Sequence, residues 1–211
     1  MHPDWLSNAY LVADLDRAWA VFVDSGAPML PLTEAAKRWE VRPTHVLRTH
    51  ADPDHVEHEA ELGLEVVTGA VELAGMKVEA IRTPGHSDDH VAFLFRGQVL
   101  FSGDILFKDA VGGGDPDQVR ESVMTLMELP PETRVFPGHT DETTIGREWE
   151  ANPFVLVWRG AEPEGTERVR VGGRDATLVV WSPDYDGKGK AWVRFDDGED
   201  AIVGGSRVER S

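Results

Sequence analysis

The chain contains no cysteine. Disulfides, thiolate metal ligands and a cysteine nucleophile are therefore excluded. Basic residues are scarce: 21 Lys and Arg stand against 38 Asp and Glu, a formal charge of -17. Nucleic acid and anionic membranes are held by clustered Lys and Arg, so neither is an expected partner. No apolar run approaches the ~20 residues that span a bilayer. The start, Met1-His2-Pro3-Asp4-Trp5, lacks the basic and then apolar pattern of a signal peptide. These absences make a cytoplasmic protein the expectation, although a salty habitat would also account for the acidity.

Enough is present for a core. The 211 residues suit one domain of ordinary size plus a small appendage, and 41% are hydrophobic. The densest chemistry lies in Thr49-His50-Ala51-Asp52-Pro53-Asp54-His55, directly after the apolar run His45-Val46-Leu47. That run reads as a buried strand, and Pro53 argues against a helix through the motif. The four polar side chains then sit on a loop at a strand end, where neighbours can point at one centre. Imidazole and carboxylate are ligand types for zinc, iron and manganese.

Around this stretch strands and helices interleave. Residues 8–14 and 19–24 read as strands, and Ser25-Gly26-Ala27-Pro28 breaks the pattern. Thr33 is placed to cap a helix to about Glu40. Residues 56–62 suit a turn or two of helix, and residues 64–68 and 77–82 are strand-like, with turns at Gly69 and Gly75. A hairpin is expected around Arg96-Gly97, and a flexible loop at Val111-Gly112-Gly113-Gly114. Asp115-Pro116 opens a helix carrying Val119, Val123, Leu126 and Met127. Arg134 to Phe136 is strand-like, and Asp141 to Glu150 suits a helix capped by Thr140 or Asp141. This order predicts layered α/β structure for residues 1–155. Residues 156–211 instead show short alternating strands with Gly- and Asp-rich turns, which predict a small β-barrel-like module with Trp181, Trp192, Val179, Val193 and Phe195 in its core.

Three further segments each offer one donor after a strand: Thr83-Pro84-Gly85-His86, Ser102-Gly103-Asp104 and Phe136-Pro137-Gly138-His139. A glycine immediately before the donor lets the backbone turn sharply. Donors at several strand ends on one rim make a site by convergence.

Together these segments resemble the metallo-β-lactamase-fold hydrolases, most closely the glyoxalase II-like (hydroxyacylglutathione hydrolase-like) branch. The pattern is His-x-His-x-Asp-His, then Pro-Gly-His, Gly-Asp and a late Gly-His, and it covers roughly residues 5–155. The resemblance implies an αββα sandwich. It implies one metal held by His50, the residue at 52 and His86, and a second held by Asp54, His55 and His139. Asp104 would bridge the two. A metal-bound hydroxide would then attack an electrophilic carbonyl of a thioester, ester or lactone, with Asp54 orienting it. The Gly112–Gly114 loop would shape the mouth of the site.

Three departures qualify the resemblance. The second histidine of the pattern is Asp52 here. Either its carboxylate still binds, favouring manganese or iron over zinc, or it falls short and the first site is weakened. Rescue by His58 is disfavoured, because His58 would sit on the following helix. The segment between His55 and His86 is short for the family, which would trim a layer near the site. The C-terminal strands do not look like the helical glutathione-binding domain of glyoxalase II, so a glutathione thioester is not specifically supported.

Any one of these histidines alone would more often be a packing residue; jointly, each in its own motif, they point to a metal centre. His90 reads as a partner to a ligand, Asp88 and Asp89 as loop solvation, and His2 and His45 as ordinary surface or packing residues. Trp158 is placed to pack the two parts together, and Arg159, Arg168, Arg170 and Arg174 read as ion-paired surface.

The expected cofactors are two divalent ions of zinc, manganese or iron. An alternative is one Fe(II) held by His50, His86 and Asp104 in a persulfide dioxygenase-like enzyme. A third reading is a metal-poor, non-catalytic binding protein. The expected partner is a small-molecule substrate, with room left for a homo-oligomer.

Overall fold

The computed structural model describes residues 1–73 and 76–210; Gly75, expected at a turn, lies outside the described residues. Strands β1 (Tyr10–Asp14), β2 (Trp19–Val23), β3 (Arg42–Leu47) and β4 (Glu65–Val67) form a first sheet in that order. β1 runs antiparallel to β2, whereas β2, β3 and β4 are parallel. Helix α1 (Leu30–Arg38) makes the crossover from β2 to β3. Pro31 stands in its first turn, where a missing N–H costs nothing. Thr33 therefore lies inside the helix rather than capping it, its hydroxyl donating to the Leu30 carbonyl at 2.9 Å.

Between β3 and β4 come two single turns, α2 (Pro53–Val56) and α3 (Glu59–Leu62). The second sheet contains β5 (Val71–Leu73), β6 (Met76–Arg82), β7 (Val91–Phe95), β8 (Val99–Gly103), β9 (Arg134–Pro137) and β10 (Thr143–Thr144), ordered β10-β9-β8-β7-β6-β5. Helix α4 (Pro116–Leu126) links the parallel pair β8 and β9. Its cap is the expected one: the Asp115 carboxylate accepts from the Gln118 N–H at 2.9 Å. Helix α5 (Ile145–Ala151) starts later than expected, because Thr143 and Thr144 pair with β9 and Thr144 becomes the cap.

Side-chain alternation explains the layering. In β2, Val21 and Val23 point inward and meet Val78, Phe93, Phe95 and Phe101 of the second sheet. Their neighbours Ala20 and Phe22 point outward, toward Ala36 of α1 and Met29 just before it. In β7, Phe93 faces the first sheet, while Ala92 and Leu94 face Val119, Val123 and Leu126 of α4, Ile145 of α5, and Phe154, Val155 and Trp158 of α6 (Pro153–Trp158). The layers are helix, sheet, sheet, helix: the αββα sandwich.

The third sheet is antiparallel, with β11 (Glu167–Val171), β12 (Arg174–Ser182), β13 (Lys190–Phe195), β14 (Asp200–Gly204) and β15 (Val208–Arg210) ordered β14-β13-β12-β11-β15. Laid flat, its edges β14 and β15 would stand four strand spacings, about 19 Å, apart. The 3-10 turn Gly205–Arg207 joins them across four Cα steps, at most about 14 Å. The sheet must therefore roll.

It also shares a core with the sandwich. Val179, Val180, Trp192 and Ile202 belong to the same apolar cluster as Leu94, Val119, Phe154 and Trp158. Trp192 and Val179 thus face the sandwich rather than the interior of the third sheet, and Trp181 is exposed, contrary to expectation. The interior of the third sheet is instead Val169, Ala176, Leu178, Ala191, Val193 and Phe195. Among the described residues no helix is long and apolar enough to cross a membrane.

Candidate metal centre

The donors predicted from the sequence meet at one rim of the sandwich. His50 follows β3, His86 follows β6, Asp104 follows β8 and His139 follows β9. Pro53 does not block a helix here; it begins one. It occupies the first position of α2, so Asp54 and His55 stand on a helical turn and Asp52 is its extended N-cap. An N-cap carboxylate usually accepts from the helix N–H groups. The Asp52 carboxylate does not. It points instead at His86 Nε2 (3.2 Å) and His50 Nε2 (3.7 Å).

The ligand-type atoms form two groups, His50 with His86 and Asp104, and Asp54 with His55 and His139, each within 4.8 Å. Asp104 lies between them. Its Oδ2 is 3.8 Å from His86 Nε2 on one side and 3.2 Å from His139 Nε2 on the other, and its Oδ1 is 3.3 Å from His55 Nε2. Asp54 Oδ2 is 3.5 Å from His55 Nε2 and 3.4 Å from His139 Nε2. All seven predicted residues are thus brought together. His58 points away, toward Glu57 and Glu61.

Hydrogen bonds behind the donors fix which nitrogen faces inward. The Thr49 hydroxyl donates to Asp24 Oδ2 at 2.8 Å, so it accepts from His50 Nδ1–H at 2.9 Å and leaves His50 Nε2 bare. His55 Nδ1 donates to the same Asp24 oxygen at 2.9 Å. His86 Nδ1 donates to the Gly113 carbonyl at 2.9 Å. His90 Nε2 accepts the Asp104 backbone N–H at 3.0 Å, so its proton is on Nδ1, donated to the Thr83 hydroxyl at 2.8 Å. His90 thereby holds the backbone of Asp104.

Asp24 is the functional residue that the sequence reading misses. It is 2% exposed, follows β2, and positions one imidazole of each group. Asp24-Ser25-Gly26 after a buried strand was the available signal. A Cβ on Gly26 would lie 1.5 Å from the Asp54 carbonyl oxygen, so only glycine lets this turn reach α2.

The Gly112–Gly114 segment also differs from expectation. It is packed rather than flexible: a Cβ on Gly112 would lie 2.0 Å from the Asp104 carbonyl oxygen, and one on Gly114 2.0 Å from that of Gly85. Here glycine serves close approach.

The electrostatics follow from this crowding. Burial would lower His55, but the carboxylates of Asp104 and Asp24 outweigh it and raise its pKa to about 11. For His139, burial is likewise outweighed by Asp104 and Asp54, giving about 9. His50 lies lower than an ordinary histidine, because burial and the neighbouring His55 prevail over Asp104. Burial would raise Asp104, yet His55 and His139 hold it well below the carboxylate range. Asp54 also lies low: against burial, the His139 hydrogen bond and the His55 charge win.

His50 Nε2, His55 Nε2 and Asp104 Oδ1 are buried without an aligned hydrogen-bond partner. An orphaned buried polar atom costs about 1–3 kcal/mol. His55 Nε2 and Asp104 Oδ1 face each other at 3.3 Å, so His50 Nε2 is the atom left without a partner, and the convergence of these donors on one point is the arrangement expected of a cation site. The donor set therefore fits metal, with two imidazoles and one carboxylate on each side and Asp104 facing both.

No family model matches the chain. It is 32% identical over 144 residues to a hydroxyacylglutathione hydrolase of Xylella fastidiosa, covering 57% of this chain and 55% of that protein. Among solved structures, the protein TTHA1623 in a di-iron-bound form is 33% identical at a TM-score of 0.62, covering 73% of this chain and 97% of the other. The BLEG-1 B3 metallo-β-lactamase is 26% identical at a TM-score of 0.67, covering 73% and 96%.

Proposed function

Because the chain belongs to the metallo-β-lactamase superfamily, we propose that it is a dinuclear metal-dependent hydrolase acting on a thioester, ester or lactone carbonyl. The observation that carries this reading is the pair of donor groups sharing Asp104. A carbonyl substrate is supported by the similarity to a hydroxyacylglutathione hydrolase over 57% of this chain. His50, His86, Asp104 and Asp52 would hold one ion, and Asp54, His55, His139 and Asp104 the other. Bound ions would supply Lewis acidity, lowering the pKa of a water and stabilising charge on an attacked carbonyl oxygen. Three carboxylates among seven donors favour iron or manganese over zinc. The similarity to a protein with a di-iron form agrees with that preference.

The chain's own residues align the attack. Asp54 is partly exposed at the rim, and its carboxylate stays ionised. A carboxylate held below its ordinary range is a hydrogen-bond acceptor rather than a proton store. Asp54 therefore orients the attacking water toward the carbonyl. Asp24, Thr49 and Gly113 hold imidazoles without touching substrate. Turnover of a thioester, ester and lactone panel tests this reading. Activity should disappear with a chelator, return with iron or manganese, and fall about 10²-fold in kcat in Asp54→Asn. An Asp54→Asn or Asp104→Ala protein as active as the parent would sink it.

One observation favours a second reading. His50, His86 and Asp104 alone form a two-histidine, one-carboxylate set, which suits a single iron in a persulfide dioxygenase-like enzyme. The intact Asp54, His55 and His139 group weighs against it. Oxygen uptake with glutathione persulfide separates the two.

A further inference from the structure

A metal-binding imidazole almost always has its outer nitrogen fixed by a hydrogen bond, which sets the ring plane. His50, His55 and His86 obey this through Thr49, Asp24 and Gly113. His139 does not. Its Nε2 faces Asp54 and Asp104, while its Nδ1 is buried with no hydrogen-bond partner among the described residues. Something else must hold that ring.

Tyr185 lies flat against it. The two ring centroids are 4.0 Å apart and the planes differ by 8°. Phe107 closes a second side, edge-on to His139 at 5.8 Å and to Tyr185 at 5.7 Å. Tyr185 comes from the third sheet, on the connection between β12 and β13. That connection is anchored next to the tyrosine: Lys190 Nζ pairs with Asp184 Oδ2 at 3.0 Å, both side chains largely buried, and the Asp184 carboxylate also accepts the Tyr185 backbone N–H at 2.9 Å. These contacts tie the loop beside Tyr185 to the first residue of β13.

We propose that Tyr185 is the positioning residue of His139: its ring does by stacking what a hydrogen bond does at the other three histidines. The C-terminal sheet is then part of the metal centre. A π-face beside an imidazole that carries positive charge is attractive. The same sheet reaches the other group of donors, because Gly114, next to the His86-binding Gly113, forms a β-bridge with Ile202 of β14. The sequence offers no local sign of this role, since Tyr185 lies 46 positions after His139 in a turn that reads as solvated.

The inference rests on the metal reading, and titration of the full chain with zinc against a chromophoric chelator tests both. The parent should show two binding steps. Tyr185→Ala should weaken one step about tenfold and leave the other within twofold, an outer-partner loss at a single site. Tyr185→Phe should bind like the parent, because the ring and not the hydroxyl does the work. The proposal is overturned if Tyr185→Ala binds like the parent, if both steps fall together, or if Tyr185→Phe falls as far as Tyr185→Ala. A parent chain that takes up neither zinc nor, in the same competition, manganese would overturn the metal reading and this inference with it.

Discussion

At the scale of single residues, Asp24 carries more of the site than its position suggests. It accepts from His55 directly and from His50 through Thr49, so one buried carboxylate sets an imidazole in each donor group. Asp24→Ala should weaken metal binding roughly 10- to 100-fold while leaving all seven donors in place. Chelator competition measures it; an unchanged affinity would mean that packing alone sets those rings. The donors themselves are legible in the sequence because each sits in its own short motif at a strand end. Asp24 is not, because its partners lie 25 and 31 positions away and only the fold brings them together. Asp52 is half legible. Its carboxylate can be read from the sequence, but its turn toward His86 depends on an N-cap that does not use it.

At the scale of elements, prolines and glycines decide where the donors point. Pro53 reads as a barrier to helix and acts as the first residue of one. That choice is set by the extended Asp52 before it, a backbone detail that composition does not reveal. Gly138 shows the same kind of constraint. It sits between Pro137 at the end of β9 and His139, and a Cβ there would lie 2.0 Å from Asp104 Oδ1 and 2.7 Å from His55 Cε1. Both contacts are closer than real Cβ atoms come. Gly138→Ala should therefore push Asp104 or His55 out of line. We expect a folded chain, with its circular dichroism retained, that has lost most of its metal affinity. Retained affinity would show that the rim yields more than its packing implies. The strands that carry the inner core are legible from alternation. The helix starts of α1 and α5 are not, since several capping residues compete and tertiary pairing, as of Thr143 with Val135, selects among them.

At the scale of the whole molecule, the C-terminal sheet is continuous with the sandwich. Trp158 and Trp192 meet at 6.3 Å within the cluster that α4 and α6 also build. A shared core predicts one cooperative unfolding transition by calorimetry, and Trp192→Ala should lower stability by about 3–5 kcal/mol without splitting it. Two separate transitions would mean that the sheet is an independent unit. A rolled sheet is legible from the strand and turn pattern of residues 156–211, but its face toward the sandwich is not, because an apolar residue on either face of a strand gives the same pattern. The central claim is that two donor groups sharing Asp104 hold metal. Elemental mass spectrometry of chain reconstituted with iron or manganese and then desalted tests it most directly. The account predicts about two ions per chain, falling to about one in His139→Ala. No retained metal, or the same two ions in His139→Ala, would contradict it.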